Sequence, residues 1–304
     1  MAQQPTPRES SWNNLFPLAT VVIWSGNTLV TKLSSGLIAP ASITLYRWGL
    51  AFLVLSAFVL PGLWRTRQQW WRQLPQLLVL GLLGMVAYQG LAYQAAISTS
   101  ATNMGILLAL SPLLSALLSS FLAREPLTWG TVLGGAISFF GVIWLMTEGH
   151  PALIVHHAFG GGDGLMLLAV LANAMYGVLL RRWTFAMGNW SQLYLQIGCA
   201  LLVLIPWYLA SEPSPLTAQN LPLVLYAGIM ASIIAPWLWI SGVRAVGASR
   251  ASLFLNLIPV LVALAATAWL GESLHQHHLV GGAMALLGVW FGQSLRRPLR
   301  SQPA

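Results

Sequence analysis

The stretch Glu125-Pro-Leu-Thr-Trp-Gly-Thr-Val-Leu-Gly-Gly-Ala136 returns as Glu272-Ser-Leu-His-Gln-His-His-Leu-Val-Gly-Gly-Ala283, 147 residues later. The same offset holds without a gap from Leu74 to Phe291. It aligns Leu74-Pro75 with Leu221-Pro222, Gly81 with Gly228, Ala101 with Ala248, Pro112 with Pro259 and Gly141-Val142 with Gly288-Val289. An offset of 149 adds Ser42/Ser191, Gly49/Gly198 and Leu53-Val54-Leu55/Leu202-Val203-Leu204. A shared apolar bias produces coincidences of Leu and Val, but it does not bring prolines, glutamates and paired glycines into one register. The second half of the chain repeats the first.

The composition says where such a chain lives. Of 304 residues, 57% are hydrophobic and 7% charged, with a mean hydropathy of +0.72. A soluble surface needs roughly a quarter of its residues charged, so soluble enzymes, DNA-binding proteins and disordered regulators are excluded. The single cysteine, Cys199, offers neither a disulfide framework nor a thiolate metal site.

Crossing about 30 Å of hydrocarbon takes about 20 residues of helix. Stretches of that kind predict spans at 15–33, 42–60, 74–93, 99–122, 128–146, 164–181, 191–209, 221–241, 249–270 and 278–293. The predicted fold class is an all-α polytopic membrane protein of ten transmembrane helices, built as two five-helix repeats over 1–147 and 162–295 with a tail at 296–304. No cleavable signal peptide is expected, because the polar N-terminus leads into a span-length run.

Assigning alternate connections to opposite faces sorts the 14 basic residues. One face, called A, collects Arg8, Arg65, Arg67, Arg72, Arg124, Arg181, Arg182, Arg244, Arg250, Arg296, Arg297 and Arg300; the other, B, collects only Lys32 and Arg47. Basic residues concentrate in cytoplasmic loops, so face A and both termini are predicted to be cytoplasmic. The basic surplus is therefore a topology signal and not a nucleic-acid footprint. The segment Trp64-Arg-Thr-Arg-Gln-Gln-Trp-Trp-Arg72 suits an anchor among lipid headgroups. Five spans per repeat is an odd number, so the halves should enter the bilayer from opposite sides. That inverted arrangement marks secondary transporters, with substrate near the midplane between the halves.

Ser111-Pro-Leu-Leu-Ser-Ala, Ala123-Arg-Glu-Pro-Leu-Thr and Gly134-Gly-Ala-Ile, with their repeats from Ile258, Leu270 and Gly281, resemble the hallmark of the drug/metabolite transporter superfamily, EamA type. Val22-Ile-Trp-Ser-Gly-Asn27 is similar to the motif of that family's first span. The resemblance runs over nearly the whole chain. It implies helices around a central cavity and export of small molecules across the bacterial inner membrane, and the aromatic richness looks like that of the family's aromatic amino acid exporters.

Charges inside a bilayer are expensive and mostly functional. Two readings stay open for Lys32 and Arg47: they snorkel to the face-B interface, or they gate that face and meet a substrate carboxylate. No Asp, Glu or His falls near the centre of a predicted span, which removes a conventional proton relay. The six histidines read as loop residues and not as a metal site. Glu125 and Glu272 read as starting the helices that follow them, where the N-terminal dipole favours negative charge, or as gates. Pro112, Pro236 and Pro259 each remove a backbone donor, to Leu108, Ser232 and Leu255 respectively. They are expected to act as hinges or simple kinks.

Polar and aromatic residues near mid-span are the substrate-binding candidates: Trp24, Asn27, Tyr46, Tyr88, Gln89, Asn103, Asn173, Tyr176, Trp237, Trp239 and Asn256, with Tyr194 and Gln196 beside them. An unpartnered amide in hydrocarbon costs several kcal/mol, so these groups should face the interior, binding substrate or bonding helix to helix. The expected activity is export of amino acids, aromatic ones included, by alternating access and without a cofactor or ATP. Multidrug and nucleotide-sugar carriers are the rival readings. An intramembrane enzyme would need a nucleophile beside a base, and no histidine or carboxylate lies at that depth.

Overall fold

The computed structural model describes residues 11–65, 70–122, 128–150, 161–246, 251 and 254–295. Every regular element among them is helical. In chain order these are α1 (Leu15–Ser34), α2 (Pro40–Arg65), α3 (Leu74–Ala95), α4 (Ala101–Leu122) and α5 (Trp129–Met146), then α6 (Gly161–Arg182), α7 (Asn189–Ala210), α8 (Leu221–Val246), α9 (Ile258–Leu270) and α10 (Gln276–Ser294). Six of them, α2, α3, α4, α6, α7 and α8, are long and apolar enough to cross a membrane; α9 and most of α5 form shorter apolar helices.

The outer surface is apolar, as hydrocarbon requires. Phe58 and Phe121 are each 80% exposed, and Leu53 and Leu202, equivalent at the 149 offset, are each 70% exposed. A water-facing surface would carry charge at such positions.

The helices pack in pairs that exchange under the repeat. α5 lies against α10, α2 against α7, and α4 against α9; α1 packs on α8 as α6 packs on α3. The α5–α10 contact shows why the Gly-rich stretches recur. A Cβ on Gly141 would lie 2.9 Å from the Gly281 carbonyl oxygen, and one on Gly281 would lie 2.8 Å from that of Gly141. Gly134 and Gly288 block each other likewise, each against the other's carbonyl oxygen. Ser138 Oγ donates to Ala285 O at 3.1 Å, and these two residues are also 147 apart. With little hydrophobic drive between helices in lipid, close backbone approach over small residues supplies the packing.

Four helices depart from α geometry around the molecule's centre; in α3 the departure is a π-helical stretch at Leu82–Tyr88. α4 breaks at Ala109 and Leu110, whose N–H groups reach back only three residues, to Ile106 and Leu107; the chain resumes at Ser111 with Pro112 in the first turn. Leu257 N likewise reaches Phe254 O just before α9, whose first turn holds Pro259. Pro112 and Pro259 therefore start helical segments and do not bend continuous ones. In α8, Tyr226–Ile234 is π-helical, so Ala235 N donates to Met230 O. In that register the donor missing at Pro236 belongs to Ala231 O and not to Ser232. Trp24 Nε1 supplies a replacement at 3.4 Å.

Face B is tied shut by bonds between connections. Lys32 Nζ donates to Ala96 O (2.8 Å) and Thr99 O (2.6 Å), closing the C-terminal end of α3. Glu272 accepts from Ala101 N (2.7 Å), Thr102 N (3.0 Å) and Thr102 Oγ1 (2.7 Å). The dipole expectation for Glu272 thus holds for a different helix: the carboxylate caps α4, not the α10 that follows it. Glu125 lies outside the described residues, as do Arg124, His156, His157 and residues 66–69 of the Trp/Arg segment. Removing a charged cap loses dipole and hydrogen-bond stabilisation together. Glu272→Gln is expected to lower stability by about 1–2 kcal/mol, read as a lower midpoint of chemical unfolding in detergent micelles; an unchanged midpoint would show that the cap is idle.

Candidate functional site

A cavity of about 740 Å³ lies among α1, α2, α3, α4, α6, α7, α8 and α9. Its lining reaches the face-A connection between α6 and α7 through Trp183, Phe185 and Met187, and it includes no residue of the face-B connections. The cavity is therefore approached from face A.

Eight of the predicted binding residues line it: Trp24 and Asn27, Tyr88 and Gln89, Asn173 and Tyr176, Trp239 and Asn256. The departures from helical geometry face it too, through Ala109, Ser111, Pro112, Pro236, Ile258 and Pro259. Trp24 and Trp239 form a tilted aromatic pair, 5.7 Å between centroids. Tyr176 Oη donates to Gln196 Oε1 at 3.1 Å, which brings Gln196 into the wall as well.

Three predicted residues lie elsewhere. Trp237 is half exposed on the outer surface; it sits two positions from Trp239, and positions two apart on a helix point about 200° apart. Asn103 stands in the first turn of α4 near face B, where its Nδ2 donates to Asp163 Oδ1 at 3.3 Å. Thr99 Oγ1 donates to the same carboxylate oxygen. Tyr46 belongs to the face-B closure, bonded to Tyr208 Oη and Ser214 O at 2.9 Å each. Ser214 is held in turn by Ala39 N and Ser42 Oγ. Tyr194 also leaves the cavity wall, stacked on Phe52 at 4.4 Å.

Arg47 is the centre of the site. It is 3% exposed, so the snorkelling reading fails. Nε donates to Ser232 Oγ at 2.8 Å. Nη1 donates to Gln89 Oε1 at 2.8 Å and, at longer range, to Asn27 Oδ1 (3.3 Å) and Tyr93 Oη (3.4 Å). One cation thereby ties α2 to α1, α3 and α8 through neutral oxygens alone. Its guanidinium carbon also sits 5.0 Å from the Trp48 ring centroid, within cation–π range. Arg47 is the one charged side chain among the described residues that line the cavity.

The lining also holds residues the sequence reading did not single out, among them Trp48, Ser111, Trp190 and Gln192. Trp48 and Gln192 belong to no motif, and Ser111 opens the hallmark stretch, which marks the family and not the cavity.

Comparison with known proteins accords with this geometry. The profile of the EamA-like transporter family matches residues 11–147 and again 160–291. An uncharacterized transporter of Bacillus subtilis, YyaM, is 26% identical over 275 residues, 88% of this chain and 89% of its own. A protein of Streptantibioticus cattleyicolor named "Probable terminal-alkyne amino-acid exporter" is 28% identical over 286 residues, 89% of each chain. A crystal structure that is 20% identical superposes with a TM-score of 0.64, covering 96% of this chain and 99% of the other; at that identity the likeness concerns the fold. The chain is a multi-pass integral membrane protein that belongs to the EamA-like transporter family.

Proposed function

We propose that the protein exports amino acids, aromatic ones included, from the cytoplasm across the bacterial inner membrane, by alternating access between two inverted five-helix halves. The observation that carries the reading is the cavity itself: enclosed between equivalent helices, walled by aromatic rings and amides, and approached from one face only. Its volume falls in the range of small-ligand sites, roughly 300–1,000 Å³. Support for inversion comes from the paired packing, in which the Gly134–Gly288 and Gly281–Gly141 contacts exchange at the 147 offset. With face A cytoplasmic by its arginines, the cavity is open inward and face B is the closed gate. The aromatic wall can stack on an aromatic side chain, and the amino-acid exporter among the relatives points to the same substrate class. A nucleotide sugar, with its diphosphate, would set two negative charges against the one cation of the lining.

Among the described lining residues no Asp, Glu or His can change charge during the cycle. This lining favours uniport, with the direction set by the substrate gradient, over proton coupling through the cavity. In proteoliposomes, labelled amino acids should cross without an imposed pH gradient, aromatic ones fastest, and an imposed gradient should change the rate less than twofold. Uphill accumulation that follows the pH gradient would overturn uniport; absence of flux for every amino acid would overturn the substrate class.

The closed gate gives a further expectation. Tyr46→Phe removes the hydroxyl that holds both Tyr208 and Ser214, about 1–2 kcal/mol of hydrogen bonding. Opening at face B should become easier, so that in a Cys199→Ser background a cysteine placed at Thr28 in the cavity wall is labelled by a periplasmic thiol reagent about fivefold faster or more. An unchanged rate would mean that these bonds do not hold the gate.

A further inference from the structure

We infer that the cavity selects its substrate by an anionic group seated on Arg47, so that aromatic and apolar monocarboxylates are recognised with or without an α-amino group while the corresponding amines are not. The inference rests on the transporter reading above and narrows its substrate class. Arg47 keeps its charge at any accessible pH, and a buried charge without a counter-ion is costly. Its acceptors, Ser232, Gln89, Asn27 and Tyr93, are all neutral, and Nη2 has no hydrogen bond among the described residues. Asp163 and Glu272 are engaged elsewhere, by Thr99 and Asn103 and by the start of α4.

The missing negative charge must then enter with the ligand. A carboxylate can take two parallel N–H donors of a guanidinium. Here Nη2 is free, and the long contacts of Nη1 to Asn27 and Tyr93 are the ones a carboxylate oxygen would displace. A second feature has the same polarity: the helical segments that start at Ser111 and Ile258 present their N-terminal ends to this cavity, and such ends favour negative charge. Nothing in the described lining offers an ammonium group a full negative charge. A monocarboxylate neutralises the site, a zwitterion leaves it as positive as before, and an amine adds a second positive charge.

The test is competition in counterflow. Proteoliposomes holding the full chain exchange labelled phenylalanine against unlabelled phenylalanine, with 3-phenylpropionate, phenylalanine methyl ester or phenethylamine added outside. The wild type should be inhibited by 3-phenylpropionate at least as well as by phenylalanine, and the ester and the amine should need at least about tenfold more. Arg47→Gln should weaken inhibition by 3-phenylpropionate tenfold or more without weakening that by phenethylamine, and Arg47→Lys should keep the carboxylate preference. Phenethylamine competing as well as 3-phenylpropionate in the wild type would overturn the inference, whatever the variants do. If phenylalanine is not exchanged at all, thermal unfolding of the detergent-solubilised protein decides. Stabilisation by 3-phenylpropionate and not by phenethylamine upholds the anion site while removing the amino-acid reading; stabilisation by both or by neither overturns it.

Discussion

Gly288→Val is expected to leave α10 unable to dock on α5 and to destabilise the protein by about 3 kcal/mol or more, the upper end for overpacking a core. A Cβ at Gly288 would collide with the Gly134 carbonyl oxygen and Ser138 Oγ and would lie 2.8 Å from Ser138 N. Two of these obstacles are backbone, so no rotamer change relieves them and the helices must separate. In lipid that separation gives up the close packing that substitutes for hydrophobic drive. Gly135→Val is the matched control, since a Cβ there meets nothing within 4 Å. The check is the unfolding midpoint of both variants in detergent micelles, with size-exclusion profiles alongside. Equal midpoints for Gly288→Val and the wild type would contradict the packing described here.

The second large effect concerns transport. Arg47→Leu is expected to reduce flux at least about a hundredfold. Leu cannot donate, so Gln89 Oε1, Asn27 Oδ1 and Ser232 Oγ lose a shared charged donor at the meeting point of α1, α2, α3 and α8. Each buried acceptor left unpartnered costs about 1–3 kcal/mol, and three together exceed the roughly 2.7 kcal/mol that a hundredfold represents. Part of this loss falls on stability, so flux is to be normalised to folded protein recovered after reconstitution. Arg47→Leu with flux within threefold of the wild type would show that the buried cation is dispensable.

Particular residues show how far the sequence could be read. Depth along a span is legible: Trp24, Asn27, Tyr88, Gln89, Asn173, Tyr176, Trp239 and Asn256 are polar or aromatic at mid-span depth, and all line the cavity. Azimuth is not, so Trp237 reads like Trp239 in sequence although the two point to opposite sides of α8. Long-range partnership was not legible either. Glu272 stands four residues before α10, yet its acceptor oxygens serve Ala101 and Thr102, about 170 positions away in sequence. Arg47 looked close enough to face B to snorkel, because nothing local to α2 reveals that Asn27, Gln89 and Ser232 converge on it from three other helices. The prolines told of an interruption but not of its form, since a helix start after a broken turn and a π-helical stretch carry the same residue. The 147-residue offset was the most informative feature, because it constrains pairs of helices at once.

The claim that the substrate occupies this cavity, entered from the cytoplasmic face, is tested most directly by site-specific thiol labelling. Cys199 is the only cysteine, so Cys199→Ser provides a clean background in which Asn173→Cys places one thiol in the cavity wall. The quantity measured is the labelling rate by a membrane-impermeant maleimide in inside-out and right-side-out vesicles, with and without phenylalanine. The account predicts fast labelling from the cytoplasmic side, at least tenfold slower labelling from the other, and protection when phenylalanine is present. Labelling that is equal from both sides, or that phenylalanine leaves unchanged, would contradict it.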